Sequence, residues 1–474
     1  MDSTQSEAGS FRDPGGFIFT RSGRVFRAIT RHSLDDWRAF AGSPLFAELQ
    51  RHRLLIPTRP AAAEPGLFPE GLAADAEVVE HERVPFVSYP YEWSFEMLKD
   101  AALLHLDLLE RCLPHDFILK DATPFNVQFI GRDPIFIDVL SFTRVRPGEP
   151  WAGYNQFCKM FLYPLMLSAY KQVPFQSWLR SELEGLDPIA FSRLLSARDL
   201  VRPGVFTHVA LHAWLQKRMA AARTSVRRQI RGAGFSKDAV AANVRGVRRL
   251  LRRLRPHDEK SVWADYARTC SYSDAATQQK EEFVRRAVVA ERRRLVWDLG
   301  CNVGRFSRLA AEHADSVVAM DADPVSVDLL YRSLRKEGKP RNILPLVVNL
   351  ANPSPDQGWR GLERRALPAR GRPDLTLCLA LVHHMAISAN VPVESFLAWL
   401  GSLGTSLVIE FVGKEDPMVQ QLLLNKDDTY DDYNRACFES SLKKFFQVQS
   451  SLELPAVAGG ARILYYATPA LHAR

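Results

Sequence analysis

Apolar positions fall in short bursts at the start of this chain and settle into a longer, regular rhythm after Pro256. GFIFT and GRVFRAI flank the turn RSG and read as two short strands. SLDDWRAFAGSPLFAELQRHRLL carries helical spacing with Ser33 as its N-cap, and VPFVSYPYEW is strand-like. In SFEMLKDAALLHLDLLERCL, Met97, Ala101, Leu104, Leu108 and Leu109 recur at the helical interval. FILKDATPFNVQFIGRDPIFIDVLSF follows as a loop and two strands, the second ending at Asp138. Residues 150 to 216 alternate helical patterns with Pro and Gly breaks. Beyond Pro256, five apolar runs (RRLVWDLG, DSVVAMDA, NILPLVVNL, PDLTLCLAL and TSLVIEFV) each end in a small or polar residue, with helical patterns between most of them. Alternation of this kind predicts an α/β domain, a mostly parallel sheet with helices on both faces. The earlier half predicts an α+β domain.

A chain of 474 residues exceeds one ordinary core. Its divisions read as a disordered lead over 1–15, the α+β domain over 16–217, a basic helical linker over 218–257 and the α/β domain over 258–474. In the linker, Val244, Val247, Leu250, Leu251 and Leu254 give the segment RGVRRLLRRLRP an apolar side. That side docks on the protein itself or on a lipid surface, and the basic side suits an acidic partner such as RNA. Hydrophobic residues at 46% and charged residues at 24% describe a soluble globular protein. The net charge of +8 permits acidic partners without requiring one. No two of the six cysteines form a CxxC pair, so the pattern suggests neither a zinc framework nor a disulfide scaffold and reads as reduced thiols in a cytoplasm. The first residues lack the apolar core of a signal peptide, and no run of about 18 apolar residues offers a membrane span.

The chemistry is densest where the first strand of the α/β half meets its helix, in WDLGCNVGRFSRLAAEH. Gly300 and Gly304 allow a tight turn and close backbone approach to a ligand. Asp298 stands just before them and would repel a phosphate, so the turn suits a ligand with a positive amine. The second strand ends at Asp321, 23 residues later, where an acid can accept hydrogen bonds from both ribose hydroxyls. A ligand with an amine and a ribose but no phosphate chain is S-adenosylmethionine. DLGCNVGRFS followed by VVAMDADP resembles the first two motifs of the class I S-adenosylmethionine-dependent methyltransferases, and the likeness runs from about Ser261 to the C-terminus. It implies a Rossmann-like methyltransferase domain with cofactor contacts from Asp298, Gly300, Cys301, Asn302, Gly304, Asp321 and Ala322. Asn349 and Leu350 at the end of the third strand, and Leu379 at the end of the fourth, complete the implied set. Asn349 stands where the family usually has an acid or polar residue near the adenine. Tyr266 and Tyr272, with Trp263, precede the fold where similar enzymes place a helix over the cofactor.

Methyl transfer from a sulfonium requires the protein to position the nucleophile and, for a hydroxyl, to remove its proton. His383 and His384 follow the fourth strand as candidate bases, with no choice between them, and Glu410 at the end of the fifth is a further cleft candidate. An NPPY-type motif, common in amine and nucleobase methyltransferases, is absent. Its absence counts against a nucleobase amine without excluding one. The favoured acceptor is a small molecule or glycan, at a hydroxyl, because Asp121, Asn126 and Asp138 in the N-terminal half resemble the site of a small-molecule phosphotransferase. RNA, held by residues 218 to 255, is the alternative.

Upstream, Asp121, Asn126 and Asp138 stand in the order of a phosphotransferase base and two magnesium ligands. Order and spacing resemble the kinase-like domains of the aminoglycoside-phosphotransferase type. The departures are Leu119-Lys120 in place of His-Gly, no glycine-rich loop, and no Lys before Lys99, with Arg27 the cation that RVFRAI offers. If this domain binds a magnesium nucleotide, Asn126 and Asp138 are the metal ligands, which would make the protein bifunctional. Otherwise it helps to select the acceptor.

Overall fold

The two alternating runs near the start pair as an antiparallel hairpin in the computed structural model. The model describes residues 5–62, 68–69, 72, 75–146, 148–221, 236–256, 274–424, 426–457 and 460–470. Contacts divide the chain into two units: Met1–Phe129 with Pro134–Asp258 and Asp356–Arg364, and Ile130–Asp133 with Glu259–Pro355 and Arg365–Arg474.

The first unit opens with a five-stranded antiparallel sheet. Its strands are β1 (Gln5–Ser6), β2 (Gly16–Arg21), β3 (Arg24–Ile29), β4 (Thr58–Pro60) and β5 (Glu77–His81), in the order β1-β2-β3-β5-β4. Ser22 and Gly23 both have positive φ, 49° and 75°, the geometry of a two-residue turn whose twist matches the strands it joins. Gln5 and Ser6 pair with Thr20 and Phe19, so the ordered sheet takes in residues expected to form a free lead. The helix expected from Ser33 is two helices. The first, Arg31–Ala41, starts earlier, with Thr30 at its N-cap. The second, Pro44–Arg51, is capped by the Ser43 hydroxyl, which accepts from the Phe46 N–H at 3.3 Å. Pro44 suits a first helical turn, where its missing N–H is not needed, and it cannot continue the preceding helix.

VPFVSYPYEW does not join a sheet. Instead the Gln128 side chain accepts from the Ser88 N–H and donates to the Ser88 carbonyl, both at 2.9 Å. The helix Phe95–Cys112 forms as its pattern predicts, with Met97, Ala101, Leu104, Leu108 and Leu109 buried. The basic helix Lys237–Arg253 lies against it, burying Val240, Val244, Val247, Leu250 and Leu251. Arg248 pairs with Glu110 at 3.0 Å. Of the places open to this apolar side, it takes the protein itself. Short pairs follow Phe95–Cys112: β6 (Phe117–Leu119) with β9 (Phe142–Arg144), and β7 (Val127–Ile130) with β8 (Asp133–Phe136).

The second unit is a seven-stranded sheet. Its strands are β10 (Arg293–Leu299), β11 (Ala314–Asp321), β12 (Ile343–Val347), β13 (Leu375–Cys378), β14 (Ser406–Val412), β15 (Phe446–Val457) and β16 (Gly460–Pro469). The order is β12-β11-β10-β13-β14-β16-β15. The five expected strands form its parallel part, and β16 runs antiparallel between β14 and β15. Every residue of β14 is buried, as happens when both faces of a sheet are covered. The unit thus has the Rossmann-like α/β architecture that its motifs imply. Strand order reverses between β10 and β13, and in such sheets the crevice beyond the strand ends at this switch point receives the ligand.

Candidate active site

A cavity of about 1010 Å³ lies at that switch point. Nine of the residues singled out as cofactor contacts line it: Asp298, Gly300, Cys301, Asn302, Asp321, Ala322, Asn349, Leu350 and Leu379. The turn after β10 makes the approach possible. Gly300, Asn302 and Gly304 all have positive φ, and a Cβ on Gly304 would come within 2.5 Å of Leu330. Gly304 is not part of the wall; it caps the helix Arg305–Ala311 and lets that helix close on Leu330.

The two acids differ in setting. Asp298 is 2% exposed and accepts from the Ser307 hydroxyl at 2.5 Å. Burial pushes its carboxyl up to about 6, against the pull of the Ser307 hydrogen bond and the charge of Lys280. Asp321 accepts from the backbone N–H groups of Asn302 at 2.8 Å and Asp323 at 2.9 Å. Burial raises its pKa, while these N–H bonds oppose the rise. Each carboxylate oxygen has two acceptor positions, so both retain capacity for ribose hydroxyls. The glycine turn and Asp321 are therefore tied to each other directly. Asn349 uses its Oδ1 to accept from the Ala351 N–H at 3.0 Å, which fixes the side chain in an Asx turn. Two carboxylates in one cavity fit a cationic, ribose-bearing ligand such as S-adenosylmethionine.

The pair of histidines separates. His384 lines the cavity, and burial lowers its pKa to about 4. His383 is 1% exposed and does not line the cavity, its ring centroid 4.2 Å from that of His384. Both its ring nitrogens are buried without a hydrogen-bond partner, and burial holds its pKa well below the usual imidazole value. Glu410, read from the sequence as a cleft residue, is also outside the wall. It is fully buried, 2.7 Å from Lys280 and 3.7 Å from Arg462, and Arg462 in turn pairs with Asp416 at 2.7 Å. A carboxylate shared between two buried cations is a poor proton acceptor. Tyr266, Tyr272 and Trp263 lie outside the described residues.

Sequence reasoning missed Lys280, which lines the cavity beside Asp298. A signal was present: Ala276, Lys280, Phe283, Val284 and Ala287 form the buried stripe of the helix Asp274–Val289, so a lysine occupies a core position of that periodicity.

In the first unit, Asn126 and Asp138 meet. The Asn126 amide donates to Asp138 at 3.3 Å and to the Ser141 hydroxyl at 3.1 Å, and Ser141 donates to Asp138 at 2.6 Å. Arg27 from β3 pairs with the other Asp138 oxygen at 3.0 Å. Burial, then the charge of Asp138, raises the pKa of Asp121. Among the described residues, no group of three or more His, Cys, Asp or Glu is placed to hold a metal ion.

No family model matches the chain. The nodulation protein NoeA of Rhizobium meliloti (strain 1021) is 35% identical over 461 residues, covering 97% of this chain and 95% of NoeA. Among solved structures, the chain is similar to the N-methyltransferase NodS from Bradyrhizobium japonicum WM9, at 9% identity and a TM-score of 0.31, over 42% of this chain and 99% of NodS. It is also similar to the magnesium protoporphyrin IX methyltransferase of Synechocystis PCC 6803 with bound S-adenosylhomocysteine, at 19% identity and a TM-score of 0.30, over 41% of this chain and 83% of that one.

Proposed function

This chain belongs to the family of the nodulation protein NoeA, and from that premise and the geometry of the cavity we propose that it is an S-adenosylmethionine-dependent methyltransferase. The observation that carries the reading is the convergence of Asp298 and Asp321 on one cavity at the switch point of the sheet. Asp298 takes the amine of the cofactor and Asp321 its ribose hydroxyls. The turn Gly300–Gly304 lets the backbone approach, and Asn349, Leu350 and Leu379 flank the adenine. S-adenosylmethionine, when bound, supplies an activated methyl and a neutral leaving group.

The acceptor in this reading is a small molecule or glycan with a hydroxyl as the attacking group. His384 is the proposed acceptor of the hydroxyl proton: it lines the cavity and stays neutral at ordinary pH, though burial makes it a weak base. His383, behind it and without a partner, shapes the wall. The first unit, α+β in make-up, aids acceptor selection. The relative's name places the family in nodulation, and this chain is proposed to act there too. Calorimetry with S-adenosylmethionine tests the core of the reading. The parent chain is expected to bind, and Asp298→Ala and Asp321→Ala each to lose most of the affinity; undiminished binding in both variants sinks it.

A second reading gives the first unit a magnesium-nucleotide site. It draws on the meeting of Arg27, Asn126 and Asp138, with the charge of Asp138 felt at Asp121. ATP with magnesium would then raise the melting temperature, and Asp138→Ala would remove the rise.

A further inference from the structure

Seven large apolar side chains stand exposed within the 22 residues from Leu194 to Leu215, out of fifteen such residues in all among those described. They are Leu194, Leu200, Val201 (89% exposed), Phe206 (62%), Leu211 and Trp214 (52%), together with Leu215. Single exposed apolar residues are ordinary, but half of a protein's share in one short stretch is not.

The local structure explains why they face outward. The stretch comprises the turns Ala197–Val201 and Phe206–Ala210 and the helix Leu211–Ala221, and these pieces pack on one another within the first unit. Val209 and Ala213 are buried on the inner side. Leu211, Trp214, Leu215 and Arg218 recur at the helical interval on the outer side. The outer side of this helix is thus apolar apart from Arg218, and an apolar stripe along a helix normally faces a partner. No ordinary surface role calls for Leu211, Trp214 and Leu215 in water.

The charges in the same stretch indicate what covers them. Between residues 193 and 218 stand Arg193, Arg198, Arg202, Lys217 and Arg218, all exposed, against one acid, Asp199, which is 4% exposed and held by Lys171 and Arg202. The Arg218 guanidinium lies 5.3 Å from the centre of the Trp214 ring, an arrangement that sets a charge at the edge of an apolar surface. Trp, Phe and Leu interspersed with Lys and Arg are the composition of a surface that lies in the headgroup region of a bilayer. A self-complementary contact between two copies would bring the five cations against five cations. Aliphatic Leu194, Leu200, Val201, Leu211 and Leu215 offer nothing on which nucleic-acid bases stack. No described helix is long and apolar enough to cross a membrane, so attachment would be at the surface.

We propose that the 194–218 face is a docking surface for an anionic lipid bilayer. Trp214 and Phe206 enter the headgroup layer, and the surrounding arginines and lysine meet lipid phosphates. The test is co-sedimentation of the full chain with phosphatidylcholine vesicles, with and without phosphatidylglycerol. Binding is expected only when phosphatidylglycerol is present, and is expected to fall as salt rises toward ~1 M, where charges are screened beyond roughly 3 Å. Phe206→Ser with Trp214→Ser should weaken binding roughly tenfold or more. Arg198→Ala with Lys217→Ala should weaken it about fivefold per charge removed. All four side chains are exposed, so the melting temperature should stay at the parental value in both variants. The proposal is overturned if the chain ignores phosphatidylglycerol vesicles or if both variants bind them as the parent does. It is equally overturned if the same substitutions convert a dimer to a monomer in sedimentation velocity or abolish binding to RNA.

Discussion

At the scale of single residues, Asp298 decides how the cavity responds to pH. Its carboxyl titrates near 6 because it is buried, and a cationic amine binds only to the ionised form. Affinity for S-adenosylmethionine, followed by calorimetry, should therefore be flat above neutrality and fall about tenfold per pH unit below ~6. Asp298→Asn should give weak binding without that slope. A Lys280→Met change should move the midpoint upward, because the Lys280 charge helps to keep Asp298 ionised. It should also destabilise the fold by ~3 kcal/mol, because Glu410, fully buried, loses the nearer of its two cations. The glycines and the two acids were legible in the sequence because a strand–turn–helix motif concentrates its constraints in a few neighbouring positions. Lys280 and the Glu410 pair were not. Their meeting joins residues 130 positions apart, and no local pattern encodes it.

At the scale of elements, apolar periodicity found the five parallel strands and the long helix Phe95–Cys112. It failed where pairing departs from period two. β15 and β16 pair with register shifts between Val448 and Ser450 and again between Leu454 and Val457, which break the alternation a strand would show. VPFVSYPYEW failed for another reason. Its partner is a side chain: Gln128 presents an amide to Ser88 as a neighbouring strand would. Ser88 is 0% exposed and Gln128 4%, so Gln128→Ala leaves a buried N–H and a buried carbonyl unpaired. Such a loss should lower stability by ~2–4 kcal/mol, read as a drop in the urea midpoint at unchanged slope. Gln128→Glu should recover little of it at neutral pH, because a buried carboxylate can accept from the Ser88 N–H but has no proton to donate to the Ser88 carbonyl.

At the scale of the whole molecule, buried imidazoles make the fold sensitive to acid. Burial lowers His81 and His105 to about 3 and His384 to about 4. His105 sits among Phe136, Trp151, Phe157 and Phe161 with both ring nitrogens unpartnered. The unfolded chain protonates these rings near 6.5, before the folded chain does. Stability is thus intact above ~6.5 and is lost as pH falls from there toward 3. Asp298, raised to about 6, acts in the opposite direction between its unfolded value and 6, as do the raised Asp121 and Asp321. Scanning calorimetry at pH 7 and at about pH 5 should show a lower melting temperature at the acid value, and His105→Phe should reduce the difference. His81 and His105 belong to the first unit and His384 to the second, so both units should respond.

The position of β16 between β14 and β15 also bears on synthesis. β14 is complete at Val412, yet the strand that covers its open edge ends at Pro469. While the ribosome makes the intervening chain, SLVIEFV stands with one row of backbone donors and acceptors bare, for roughly three to ten seconds at ~5–20 residues per second. An apolar, uncharged-but-for-Glu410 edge is a template for pairing with other nascent chains. Protection of the β14 edge therefore waits until β16 has been made.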